Sequence, residues 1–212
     1  MKFVAESIIR YCEAFSKPEE KVLAELERET WLKAMYPQML SGHLQGKFLS
    51  MVSAMIQPEA VLELGTFTGY SAICLAAGLR EGGVLHTIEA DEELEELIRK
   101  YIRKSGMEKK IVLHIGKAET LIPKLNRQFD LVFIDADKTA YPEYYKLVFS
   151  KVKKGGYILA DNALWSGKVL EEKKDEETRG IHKFNRMVTD DKRVDNVLLP
   201  LRDGVMMVRK KV

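Results

Sequence analysis

The sequence predicts an α/β fold: a seven-stranded, mostly parallel sheet with helices on both faces, an antiparallel last strand and a helical N-terminal extension. Three observations lead there. From Ala60 to Asp161, short and nearly continuous apolar segments alternate with amphipathic ones, as strands buried on both faces do between crossover helices. The chain closes on two apolar runs around Arg202-Asp203-Gly204, a hairpin signal that turns the last strand antiparallel. Before Pro58 the apolar residues recur at helical rather than alternating spacing.

Each element follows from its residues. "KPEEKVLAELERETWLKAMY" opens with Pro18 and acids in a first turn, and spaces Val22, Leu23, Leu26, Trp31, Leu32 and Met35 as a helix does. "HLQGKFLSMVSAMI" carries a second stripe through Leu44, Phe48, Leu49, Val52 and Met55. The stripe through Trp31 and Met35 suits either a core or packing across a two-fold axis. The strands are expected at Ala60 to Leu64, Val84 to Glu89, Ile111 to Ile115, Leu131 to Asp135, Tyr157 to Asp161, Val194 to Leu199 and Val205 to Arg209. Helices are expected at Tyr70 to Leu79, Asp91 to Ser105, Ala118 to Leu125, Tyr141 to Val152 and Glu176 to Thr189. With no internal repeat or low-complexity linker, residues 1–212 read as one domain: 1–57 helical, 58–212 the α/β core.

Composition narrows the function classes. A net charge of +2 gives no basic face for wholesale nucleic-acid or membrane binding, although lysines cluster at 109–110, 151–154 and 173–174. The N-terminus "MKFVAESIIRYCEAF" is interrupted by Glu6 and Glu13, unlike a secretory leader, and no apolar run reaches membrane-spanning length. Cys12 and Cys74 lack metal or redox spacing and read as buried free thiols. A cytoplasmic location is the expectation.

The chemistry gathers at strand ends. "FDLVFIDADK" and "GGYILADN" are apolar runs that stop at Asp135 and Asp161. In open, Rossmann-like sheets ligands bind beyond the carboxyl ends of the strands, so both acids are expected to enter one crevice. "VLELGTFTGYSA" is a strand, a turn with Gly65 and Gly69, and a helix; Glu89 ends the next strand, suited to both hydroxyls of a ribose. Phe67 stands where a dinucleotide fingerprint needs its second glycine, and no Gly-Lys-Ser/Thr follows to hold a phosphate. Glu63 adds negative charge that disfavours a phosphate and suits an amino group. A nucleoside carrying an ammonium and a sulfonium, S-adenosylmethionine, fits these facts better than NAD.

With "ELGTFTGYS", "IEADEE", "FIDADKTAY" and "ADNALWSG" in this order, the chain resembles the cation-dependent class I O-methyltransferases, the group of catechol and caffeoyl-CoA O-methyltransferases. The resemblance runs from about Met39 onward. It implies that Glu63, Gly65, Thr66 and Ser71 line the methionine end of S-adenosylmethionine with Met39 and Ser41, that Glu89 takes the ribose, that Ala118 lies by the adenine and that Asp137 lies near the amino group. It implies Asp135, Asp161 and Asn162 as ligands of a divalent cation, and Lys138 as general base. It departs at Ser166, where plant CoA-ester enzymes usually carry Asn, which counts against a CoA thioester acceptor.

Two carboxylates and an amide oxygen form a hard donor set, suited to Mg²⁺, Mn²⁺ or Ca²⁺ rather than zinc. His43, His86, His114 and His182 are scattered and read as ordinary surface or loop histidines. The bland alternative for Lys138 is a surface ion pair with Asp135 or Asp137. The expected reaction is methylation of a vicinal hydroxyl on a small catechol-like aromatic. The alternatives are a tRNA hydroxyuridine acceptor and, in another class, a non-catalytic nucleoside-binding or scaffolding protein. Acceptor-facing residues are expected in the N-terminal helices, between Leu164 and Thr178, and near Arg202. A homodimer is the family-level expectation.

Overall fold

The structure, a computed structural model, describes residues 4–211; residues 1–3 of the predicted helical segment and residue 212 lie outside the described residues. The seven strands are β1 (Ala60–Leu64), β2 (Val84–Glu89), β3 (Ile111–Ile115), β4 (Phe129–Ile134), β5 (Val152–Ala160), β6 (Val194–Leu199) and β7 (Val205–Lys210). They form one sheet in the order β3-β2-β1-β4-β5-β7-β6. β1 to β5 pair in parallel, whereas β7 runs antiparallel to both β5 and β6. The chain therefore steps outward from β1 to β3 and returns to the other side of β1, which opens a crevice between β1 and β4 at their carboxyl ends.

Strand alternation fills two cores. One face of the sheet presents Leu62, Leu64, Val132, Ile134 and Ile158 to α7 (Tyr141–Phe149) and α8 (Glu176–Asp190), whose Tyr145, Val148, Ile181 and Phe184 complete that layer. The other presents Val61, Leu131, Phe133 and Leu159 to α3 (Gly42–Ile56), α4 (Tyr70–Ala76) and α5 (Glu95–Lys104). Leu23 and Leu26 of α2 (Lys21–Lys33) belong to this second core, so an N-terminal helix is part of it. Residues at odd and even positions of β1 and β4 serve different cores, the period-two signature of a strand covered on both sides.

The helices carry their own signals. Acids open α5 and Arg103 and Lys104 close it, which matches the helix dipole, while Ile98, Tyr101 and Ile102 make its buried stripe. α8 begins where the Asp175 side chain accepts from the Thr178 backbone N–H at 2.8 Å.

Some sequence expectations fail. Val152 opens β5 rather than ending a helix, because α7 stops at Phe149 and the chain reverses through Ser150 and Lys151. α2 begins three residues past Pro18, which sits in the preceding connection. Of the two readings of the stripe through Trp31 and Met35, the core one fails: Trp31, Leu32 and Met35 are 59%, 75% and 83% exposed. Met55 is exposed too, and so is Cys12, on α1 (Glu6–Ala14), while Cys74 is buried as expected. His86 and His114 are not loop residues: they stack across β2 and β3, with the His86 Nδ1 2.9 Å from the His114 Nε2.

Candidate active site

The turn after β1 is built from backbone that only certain residues tolerate. Gly65 has φ +89°, and a Cβ there would fall 1.9 Å from the carbonyl oxygen of Asp135. The loops leaving β1 and β4 thus cross in contact, and glycine is what lets them. Gly69 (φ +96°) then opens α4. Between them the Phe67 N–H donates to the Glu89 carboxylate at 2.7 Å, and the Asp91 N–H donates to its other oxygen at 2.9 Å. Burial raises the Glu89 pKa, against the pull of those amides. The acid that ends β2 is therefore fixed against the glycine turn.

Glu63, within β1, is wholly buried. One oxygen accepts from the Thr87 hydroxyl at 2.6 Å; among the described residues the other, buried, has no partner at hydrogen-bond geometry, and the Thr66 and Thr87 hydroxyls lie 2.5 Å apart. Burial pushes the Glu63 carboxyl up to about 8, with the Ser71 and Thr87 hydroxyls pulling the other way. Burial therefore works against the negative charge expected of Glu63, and a cationic group beside it would favour that charge. Glu63, Gly65, Thr66, Ser71 and Glu89 are thus brought together around one turn. Ala118 opens α6 (Ala118–Leu121) just beyond the carboxyl end of β3. Met39 ends the short turn Pro37–Met39 and is exposed, whereas Ser41 is buried. Asp137 is exposed, and its carboxylate accepts from the Thr139 N–H (2.9 Å) and hydroxyl (2.8 Å), capping the turn Lys138–Ala140.

Asp135 and Asp161, each one residue past the end of its strand rather than within it as expected, form the second half of the site. The Lys138 Nζ lies 2.7 Å from an Asp135 oxygen and 3.1 Å from the Tyr141 hydroxyl, which donates to the Asp161 carbonyl at 3.0 Å. Lys138 is nearly buried; burial alone would depress its pKa, but Asp135 and Tyr141 hold it above the ordinary lysine range. The ion pair weighed as the bland alternative is thus present. Asp161 is 1% exposed; one oxygen accepts from the Gln45 side-chain amide at 2.6 Å and the other from the Asn162 N–H at 2.8 Å. Burial, then the charge of Asp135, pushes its carboxyl up to about 6, while Gln45 and Arg202 act in the opposite direction. Asn162 adopts φ +55°, and its amide nitrogen is 3.4 Å from Asp203. Among the described residues no three His, Cys, Asp or Glu side chains group as a metal site; the acids here number two, with Asn162 beside them.

Sequence reasoning missed Gln45, Tyr141 and Asp203. Gln45 had a signal: it sits on the buried stripe of α3, one turn before Leu49, where a polar residue calls for a partner. Its partner lies 116 residues away.

With this geometry established, likeness to known proteins becomes informative. The O-methyltransferase family model matches residues 13–211. A catechol O-methyltransferase of Niastella koreensis is 36% identical over 162 residues, 74% of this chain and 73% of that protein. A caffeoyl-CoA O-methyltransferase of Populus kitakamiensis is 33% identical over 178 residues, 78% of this chain and 76% of that protein. Among solved structures, an O-methyltransferase from Bacillus cereus in complex with SAH superposes with a TM-score of 0.91 at 28% identity, covering 97% of both chains. The O-methyltransferase TomG of Streptomyces achromogenes, solved with SAM, gives 0.87 at 26% identity over 97% of this chain and 96% of that one. Family match, relatives and fold agree, and the chain belongs to the S-adenosylmethionine-dependent O-methyltransferase family.

Proposed function

We propose that this protein transfers a methyl group from S-adenosylmethionine to one hydroxyl of a small catechol-like aromatic, with help from a divalent cation. The observation that carries the reading is the meeting of Asp135, Lys138 and buried Asp161 at the crevice where the glycine turn and Glu89 also converge. The residues fit a cation. Asp135 raises the pKa of Asp161, so a positive charge between them relieves a repulsion now offset only in part by Lys138, Gln45 and Arg202. With the Asn162 amide nitrogen toward Asp203, its oxygen is the atom left to join the two carboxylates in a hard donor set.

In this reading the glycine turn and Glu89 bind the nucleoside, and the unpartnered oxygen of Glu63 suits the amino group of the methionine part. Asp135, Asp161 and Asn162 would hold the cation, which would supply Lewis acidity to the acceptor hydroxyl. The acceptor oxygen attacks the methyl carbon, the carbon–sulfur bond breaks, and its electron pair stays on sulfur. Lys138, once Asp135 is engaged elsewhere and its ammonium has released a proton to solvent, takes the hydroxyl proton at the neutral Nζ.

The small-acceptor reading is favoured over tRNA by where the lysines are used. Lys151 caps the Leu125 carbonyl at 2.7 Å and Lys153 pairs with Asp130 at 2.9 Å, both at the amino end of β5, opposite the crevice. These lysines therefore add no positive charge at the mouth of the site for a phosphate backbone. A CoA thioester is disfavoured by Ser166, although curated relatives include caffeoyl-CoA enzymes. The test is incubation with methyl-labelled S-adenosylmethionine and Mg²⁺, offering a catechol panel, a caffeoyl thioester and bulk tRNA in parallel. Label in the catechols supports the proposal; label only in tRNA or only in the thioester replaces its acceptor.

A further inference from the structure

The turn between β6 and β7 grips both sides of the crevice. On one side Asp203 accepts from the Ser166 N–H at 2.5 Å and its carbonyl accepts from the Leu164 N–H at 2.9 Å. On the other, Arg202 reaches the segment before α3. Its Nη1 donates to the Ser41 carbonyl and to the Gln45 side-chain oxygen, both at 2.6 Å; its Nη2 donates to the Leu40 carbonyl at 2.7 Å and lies 3.4 Å from that of Gln38. Arg202 does this from φ +54°, a region that residues other than glycine, asparagine and aspartate seldom adopt. The observed outlier thus coincides with a guanidinium that reaches three carbonyls of one strap of chain.

Gln45 continues the chain of contacts. Its oxygen faces a cation and its nitrogen a carboxylate, Asp161, so a single orientation of the amide satisfies both neighbours. Gln45 and Asp161 are both buried, and water does not compete for these bonds. The strap carries Met39 and Ser41, and Asp161 belongs to the acid pair. One arginine therefore holds two parts of the site that are far apart in sequence.

We propose that Arg202 and Gln45 are positioning residues for methyl transfer: Arg202 clasps the 38–41 strap to the rim of the methyl-donor pocket, and Gln45 passes that hold to the Asp161 carboxylate. The inference rests on the function proposed above for the cation role of Asp161, but its strap half does not. Two variants separate the roles. Arg202→Met keeps the length of the stem and removes every donor; Gln45→Met leaves the arginine its backbone carbonyls and breaks only the relay.

The experiment measures S-adenosylhomocysteine binding by calorimetry without metal, and Mn²⁺ binding by electron paramagnetic resonance without nucleoside. Loss of several charge-assisted hydrogen bonds to the strap should weaken S-adenosylhomocysteine about tenfold or more in Arg202→Met. Gln45→Met should bind it like the parent while binding Mn²⁺ several-fold more weakly, an asymmetry that a general loss of stability does not produce. Arg202→Lys, which keeps the charge but not the fork, should fall between parent and Arg202→Met, and it carries the test if the methionine variant does not fold. Parent-like S-adenosylhomocysteine binding in the arginine variants overturns the clasp, and parent-like Mn²⁺ binding in Gln45→Met overturns the relay. A parent protein that binds no Mn²⁺ sinks the cation reading and the relay with it, while the nucleoside arm still decides the clasp.

Discussion

Replacing Gly65 with alanine tests whether the crossing of the β1 and β4 loops is as tight as it looks. The new Cβ would lie 1.9 Å from the Asp135 oxygen, 2.7 Å from its carbonyl carbon and 3.2 Å from the Ala136 Cα. An ordinary carbon–oxygen contact is about 3.3 Å, so the two backbones must separate by about 1.4 Å. Neither can move alone, because β1 and the end of β4 are fully buried on both faces. Holding alanine at φ +89° costs about 1–3 kcal/mol. Overpacking a tight site costs roughly as much again, for a total of about 2–6 kcal/mol. Domains of this kind have only about 5–15 kcal/mol to lose. Urea denaturation followed by circular dichroism should show a much lower midpoint. In whatever fraction folds, S-adenosylhomocysteine binding should weaken as the turn shifts from Glu89. A variant with the parent's midpoint and the parent's nucleoside affinity would refute this account of the crossing.

Three further outcomes are expected. Glu89→Ala removes the carboxylate fixed by Phe67 and Asp91, and should weaken S-adenosylmethionine binding at least about tenfold by calorimetry with the fold retained. Lys138→Ala should lower kcat by roughly 10²–10⁴ while S-adenosylhomocysteine binds as before; an unchanged kcat removes it as the base. His86 has its pKa lowered to about 4 by burial and by His114 and Arg127. Between the ordinary histidine value and about 4 the unfolded chain binds the proton that the folded ring refuses. Stability from this group is therefore complete above pH 6.5 and lost as pH falls toward 4. Discounted for a half-exposed ring, the loss is about 1–2 kcal/mol. His86→Phe should flatten that part of the stability–pH curve, and an unaltered slope would assign it to other groups.

The fold was legible because its signals are local. β1, β2 and β3 run where their apolar segments do, Gly65 and Gly69 fall at turn positions whose backbone geometry restricts the choice of residue, and Glu89 ends β2. The end of α7 was misread because Val148 and Val152 are a helical turn apart, and only the tertiary pairing of Val152 with Phe129 decides for a strand. Trp31, Leu32 and Met35 share a spacing with Leu23 and Leu26, but periodicity does not report where a helix leaves the core. The acids at the ends of β4 and β5 could be read from two short stretches. Their supporting contacts could not: Gln45 meets Asp161 across 116 residues and Arg202 meets Gln45 across 157, so no window of sequence contains either pair. The stacked histidines are a milder case, with a spacing of 28 residues that becomes contact only through the register of β2 on β3.

The central claim, that two strand-end acids and Asn162 hold a cation which activates a small diol, is tested most directly by one assay. Protein stripped with chelator is given S-adenosylmethionine and a catechol found to be an acceptor, and the monomethylated product is counted by mass spectrometry with and without added Mg²⁺. The account predicts no product in EDTA, recovery with Mg²⁺ or Mn²⁺, and an Asp135→Asn variant that stays inactive with metal while still binding S-adenosylhomocysteine. Full turnover by stripped protein in EDTA would contradict it, and Asp135 and Asp161 would then shape the pocket without holding a cation.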